Sequence, residues 1–253
     1  MIEDLDKELF HKEYLGKGKR LDGRPFKAKR QIAGTHNCID DSPGSSLISL
    51  GNTIIITKIS LTPQPLAPII TVNATRAGVS QIKGRTTQDK TLTATLTLLI
   101  NRMIPHSELE IARPDPNNIF MSSVKLWSYK MSVNVCVISD DGGIEAASIL
   151  GFQNALISLT LQKYSLDEEG QIHPLEGEIR KLNFLPINAI QFGILNGALI
   201  YDPTSDEEKI IDGCCTIVMS ADENPKIMSI NTTRTFEMDG NLIAQMTAAF
   251  SKD

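Results

Sequence analysis

Aromatic residues are scarce in this 253-residue chain, 5% of the total with a single tryptophan, Trp127. A stacking platform for nucleic-acid bases is therefore not evident. Cysteine is equally sparse: Cys38, Cys136, Cys214 and Cys215. None forms a Cys-x-x-Cys pair, which argues against a zinc ribbon or a thioredoxin-type motif. All four read as reduced, mostly buried thiols of a cytosolic or nuclear protein. The adjacent Cys214 and Cys215 would point to opposite faces of a strand. The Gly-x-Ser-x-Gly elbow of serine hydrolases is missing. His11, His36, His106 and His173 are scattered without ligand spacing, so no metal or cofactor is expected. No apolar run reaches the length of a transmembrane helix, so no membrane association is expected. Met1 to Leu15 is too charged for the apolar region of an export leader.

What is present fits a folded domain: 41% hydrophobic and 22% charged residues. The net charge of −5 argues at first sight against a nucleic-acid partner. That charge is unevenly spread. Between Lys12 and Arg30 eight cations face only Glu13 and Asp22, a local +6 that leaves −11 for the rest of the chain. Such a segment is either a solvated basic arm or a surface for phosphates or an acidic partner.

Along the chain, residues 2–15 read as a charged amphipathic helix and Gly16-Lys17-Gly18-Lys19 as a basic hinge. Ser46 to Ser60 is rich in β-branched residues and broken by Gly51-Asn52, a turn between two strands. Three prolines between Thr62 and Pro68 mark a loop or sheet edge. Leu92, Leu96, Leu99 and Met103 share one helical face, predicting a helix from about 87 to 104 that Pro105 stops. Pro114-Asp115-Pro116-Asn117 marks a turn. Residues 123–139 predict a long strand, and Ala146, Ala147, Gly151 and Ala155 a slim helix from about 144 to 162. Short strands follow near 184–194, 198–201, 213–220 and 226–231, then a last helix from about 240 to 250. The blocks β-β-α-β-α and β-β-β-β-α predict an α+β fold of two similar halves.

Gly78 to Thr86 fails the P-loop pattern, since five residues separate Gly78 from Gly84 and Arg85 stands in place of lysine. Asp140-Asp141 ahead of Gly142-Gly143 reads as helix capping. Three other stretches carry more. Arg20-Leu21-Asp22-Gly23-Arg24-Pro25 follows the leading helix; Asp141-Gly142-Gly143 closes the long strand; Asp202-Pro203-Thr204 runs on to Glu207-Glu208 and Asp212-Gly213. In this order they resemble the RNase PH family, and within it the non-catalytic branch of exosome ring subunits.

The resemblance implies an RNase PH fold of two related β/α subdomains with mixed sheets and flanking helices. Residues 1–18 would form the leading helix and hinge, 19–165 the first subdomain and 166–253 the second. Arg20, Asp22 and Arg24 suit an ion-pair cluster around a glycine turn. Asp202 would end a strand, and Glu207 and Glu208 would lie on an exposed segment facing a neighbouring subunit's basic residues. Active members cleave RNA from its 3′ end with inorganic phosphate, held at the helix after Asp-Gly-Gly by Ser or Thr followed by Arg. Here Gly143 is followed by Ile144 and Glu145. A carboxylate a few ångströms from phosphate opposes binding by ~1 kcal/mol in water-like surroundings, and by more when buried. Active members also hold a divalent metal with two aspartates in the stretch corresponding to Leu182 to Leu195, which has neither Asp nor Glu. An RNA-contacting arginine of the first long helix aligns with Leu98.

The implied role is a catalytically inert subunit of a hetero-hexameric exosome ring. Its partners would be other RNase-PH-like subunits, RNA-binding cap proteins and RNA, in nucleus, nucleolus and cytoplasm. Arg76, Lys83, Arg85 and Arg102 are the candidate RNA contacts. The alternative is an active phosphate-dependent 3′-to-5′ exoribonuclease.

Overall fold

The computed structural model describes residues 2–77, 87–112, 126–167, 169–233 and 238–250. Lys83, Arg85, the stretch from Gly78 to Thr86 and the turn at 114–117 lie outside them. Helix α1 (Ile2–Gly16) leads into β1 (Ile32–His36), β2 (Gly44–Leu50), β3 (Thr53–Gln64) and β4 (Ile69–Arg76). Helix α2 (Thr87–Met103) follows, then a 3-10 turn (His106–Leu109), β5 (Glu110–Ala112), β6 (Trp127–Ser139) and α3 (Ile144–Ser158). The remainder is β7 (Thr160–Leu166), β8 (Ile172–Lys181), β9 (Ile187–Leu195), β10 (Ala198–Tyr201), α4 (Ser205–Ile210), β11 (Gly213–Ser220), β12 (Ile227–Thr232) and α5 (Gly240–Thr247).

The first sheet runs β1-β2-β3-β6-β4, with β5 added beside β6; β4 and β6 are parallel and the other pairs antiparallel. Gly51-Asn52 makes the β2–β3 turn, as the sequence predicts. β3 continues through Pro63, which pairs with Tyr129 of β6. Proline is tolerated there because β2 pairs only as far as Ile59, so the other side of β3 is an edge. The second sheet is antiparallel, β10-β9-β11-β12.

Helix α3 is the common support. Its slim face of Ala146, Ala147, Gly151 and Ala155 is buried against β2, β3 and β9. A Cβ on Gly151 would meet Thr57 Oγ1 at 3.1 Å. One core therefore runs from Leu96 of α2 through Val133 of β6 and Phe152 of α3 to Ile187 and Val218 of the second sheet. β11 is buried along its whole length, because both its faces are covered. Cys214 and Cys215 do point to opposite sides, into two different apolar clusters. Cys38 is exposed and Cys136 half-buried, so only two of the four thiols are interior.

Several elements depart from expectation, among them β1, β4 and β5, which the first sheet adds. Helix α3 stops at Ser158 rather than 162. Residues 160–166 instead pair with β8 in a hairpin, where Leu161 is fully buried and Tyr164 packs edge-on against Tyr129. That long-range pairing outweighs local helical preference, and the boundary drawn at 165/166 falls inside the hairpin. Helix α4 is a further addition, closed by a capping box: Thr204 Oγ1 accepts from Glu207 N, and the Glu207 carboxylate accepts from Thr204 N.

The turn before α3 is pressed against the start of α4. Gly142 has φ +80, and a Cβ there would lie 2.7 Å from Pro203 O, Thr204 C and Ser205 N. Gly142→Ala is expected to cost about 2 kcal/mol or more, read as a melting temperature several degrees lower; an unchanged melting temperature would show that the turn can move away.

Candidate functional site

Arginines of residues 20–30 converge on the β10–α4 loop. Arg20 is buried and grips Glu207 with two donors, Nε to Oε1 at 2.8 Å and Nη2 to Oε2 at 2.6 Å. It also donates to the carbonyls of Tyr201 (2.8 Å) and Asp202 (2.9 Å). Arg24 binds Asp22 at 2.7 Å and reaches Asp202 Oδ2 at 3.3 Å. Arg30 closes the cluster. Its backbone N and Nε each lie 2.8 Å from Asp202 Oδ2, and Nη2 lies 2.6 Å from Oδ1. Its Nη1 donates to Asp141 O at 2.6 Å. Asp202 adopts a positive φ of 50, uncommon outside glycine, and its carboxylate is held by these donors.

This geometry corrects two expectations. Glu207 is 4% exposed and engaged by Arg20, so it does not face a neighbouring subunit. The arginines of the basic stretch are not part of a free arm either: the side chains of Arg20, Arg24 and Arg30 are 0%, 17% and 7% exposed and paired within the chain, while Lys12, Lys17, Lys19 and Lys27 stay exposed. Sequence reasoning found Arg20, Asp22, Arg24, Asp202 and Glu207, and the structure joins them. It did not single out Arg30; the motif that drew attention ends at Pro25, and nothing local marks the arginine beyond it.

The same cluster shapes the N-terminus of α3. Gly143, with φ 70, precedes the helix, and its N–H donates to Glu208 Oε1 at 2.8 Å. Gln191 Nε2 donates to the same oxygen at 2.5 Å. Glu208 is therefore also turned inward, where burial pushes its carboxyl above the usual range. Ile144 is half-buried against the main core. Glu145 accepts from Asn231 Nδ2 at 2.5 Å and from Thr216, and burial raises its carboxyl too, against the pull of those hydrogen bonds. Two of the protein's own carboxylates thus stand at the start of α3, Glu208 on the Gly143 N–H and Glu145 on Asn231. The stretch from Leu182 to Leu195 offers Asn183, Asn188 and Gln191, amides rather than carboxylates, a donor set that does not fit Mg²⁺.

The candidate RNA contacts do not form one group. Arg76 is paired with Asp89 (3.3 Å) and Asp140 (2.7 Å). Arg102 is exposed and donates through Nη1 to Met228 O at 2.6 Å. Arg76, at the end of β4, reaches the first turn of α2 at Asp89, whereas Arg102 lies in its last turn, about 20 Å further along the helix axis.

Removing one partner of a buried ion pair strands the other charge, a cost of about 3–5 kcal/mol. Arg20→Met and Glu207→Leu are each expected to destabilise by that order, and the double variant by much less than the two losses combined. Denaturant melts of the four proteins read this; strict additivity would mean the two side chains act separately. For Glu145 the folded state holds the proton more tightly than the unfolded chain. Its contribution is present below the unfolded carboxyl pKa and is lost as pH rises through the folded one. Glu145→Gln should therefore gain stability relative to wild type as pH rises above the ordinary glutamate range, about pH 4. Parallel pH dependences for the two proteins would show that burial does not perturb this carboxyl.

Comparison with known proteins gives consistent matches. The model of the 3′ exoribonuclease family, domain 1 (RNase_PH), matches residues 24–162, and that of domain 2 (RNase_PH_C) residues 186–246. The exosome complex component Rrp42 of Thermococcus onnurineus is 30% identical over 227 residues, covering 85% of this chain and 79% of that protein. Its counterpart from Thermococcus kodakarensis is 29% identical over 213 residues, 81% of this chain and 76% of that one. Among solved structures, a chain of the Archaeoglobus fulgidus exosome with RNA bound to the active site superposes with TM-score 0.77 at 20% identity, covering 98% of this chain and 95% of that one. A chain of an archaeal exosome core gives 0.75 at 21%, covering 98% and 94%. These likenesses show the fold.

Proposed function

The chain belongs to the 3′ exoribonuclease (RNase PH) family, and on that premise we propose that it is a non-catalytic subunit of an exosome-type ring. In this role it assembles with other RNase-PH-like subunits and RNA-binding cap proteins and helps form a channel for RNA. RNA processing and degradation in nucleus, nucleolus and cytoplasm is the setting this reading implies.

One observation carries the inert assignment. Where the family resemblance puts phosphate, at the start of α3, the Gly143 N–H already donates to Glu208, and Glu145 stands at the position of the phosphate-holding arginine. An incoming phosphate would face two carboxylates in a partly buried setting, where like charges repel by several kcal/mol. It would also have to displace Glu208 from the helix N-terminus. The absence of any Asp or Glu between Leu182 and Leu195 points the same way.

Incubation of the purified chain with single-stranded RNA, phosphate and Mg²⁺ is expected to release no nucleoside diphosphate above background. Release that EDTA abolishes would establish the alternative, an active phosphorolytic exoribonuclease. Native mass measurement of the complex purified from cells should give a hetero-oligomer containing several RNase-PH-like chains; a stable monomer would refute the ring assignment.

A further inference from the structure

Strand β12 is the outer edge of the second sheet, and α2 runs beside it. Between them lies a groove lined by Leu98 and Arg102 of α2 and by Ile227, Met228, Ile230 and Asn231 of β12. Leu98 is 69% exposed, Ile227 43% and Ile230 37%, large apolar side chains that a solvated surface rarely groups.

The hydrogen-bonding register of β12 is legible. Thr233 N donates inward to Cys214 O, so by alternation Ile230 and Thr232 direct their backbone groups away from β11, toward the groove, up to the register shift opposite Val218 and Met219. Met228 O is met by Arg102. Among the described residues the outward N–H and C=O of Ile230 and Thr232 have no strand beside them. Arg102 also differs from Arg76: its charge meets a carbonyl and, among the described residues, no carboxylate. The far end of the groove is Asn231, which is bonded to Glu145.

We propose that this groove takes an extended segment of a partner polypeptide as a fifth strand on β12, with a carboxylate of that segment on Arg102. Backbone hydrogen bonds to Ile230 and Thr232 supply the pairing, Leu98 and Ile230 meet alternate apolar side chains, and Arg102 sets position. A nucleic-acid strand fits less well. The lining holds one cation and no aromatic ring, and Glu145 lies behind the far end. The inference goes beyond the ring reading and does not rest on it, since it concerns one edge of the isolated chain.

Peptides selected from a random displayed library on the full chain test it. Selected sequences should alternate apolar residues and carry an Asp or Glu. A synthetic peptide from the set, with blocked termini, should slow amide exchange at Ile230 and Thr232. Arg102→Glu should weaken it about tenfold or more, and a peptide with Lys in place of its carboxylate should recover binding to that variant, which also shows the variant folded. Leu98→Asp should weaken both peptides. Failure to select any peptide, selected peptides that leave Ile230 and Thr232 unprotected, or an oligoadenylate RNA that protects those amides more tightly than the peptides would overturn the proposal. None of these outcomes depends on whether the chain degrades RNA or enters a ring.

Discussion

The carboxylate of Asp202 is the constraint on which the site depends. It accepts from the backbone and guanidinium of Arg30 and from Arg24, while Arg20 takes its carbonyl and the neighbouring Glu207. One loop is thereby tied to the segment before β1 and, through Arg30 on the carbonyls of Asp141 and Gly142, to the turn before α3. Gly142 allows that turn to close onto Pro203 and Thr204 without a side chain between them. Three parts of the chain distant in sequence meet around a single buried carboxylate. A lost partner here leaves a desolvated charge, so the cluster is all-or-none in character.

This clasp also decides the chemistry at α3. Glu207 faces Arg20, and Glu208, next along α4, is carried onto the Gly143 N–H. The helix N-terminus, elsewhere an anion site, is served from within. Glu145 adds a second buried carboxyl on Asn231 and Thr216. Burial raises both carboxyls, so charge on either carries an energetic cost, and neither supplies a phosphate with a cation.

The cations follow the same logic. The basic stretch after α1 looks in sequence like a surface for phosphates, yet its arginines turn inward to carboxylates far along the chain. Arg76 is likewise spent on Asp89 and Asp140. Arg102, capping an edge carbonyl of β12, keeps its charge toward the groove. Sequence counts cations; only packing tells which of them remain for a partner.

Much of the architecture was legible because it rests on local periodicity and turn chemistry: the face of Leu92, Leu96, Leu99 and Met103, the Gly51-Asn52 turn, and the slim face of α3. The three motifs in order, and the substitution at Ile144 and Glu145, were legible as residue identities. The β7–β8 hairpin, the inward turn of Glu207 and Glu208, and the part played by Arg30 were not. The hairpin depends on strand pairing between β7 and β8, and the other two on ion pairs and hydrogen bonds across tens to more than a hundred residues, which outweigh local preference. The sequence by itself determined the family, the main helices and strands, and the presence of Ile144 and Glu145 after Gly143. The tertiary structure alone decided that the arginines of the basic stretch form a clasp and that Glu208 meets the Gly143 N–H at the start of α3, because a charge acquires its role only from what folding buries beside it.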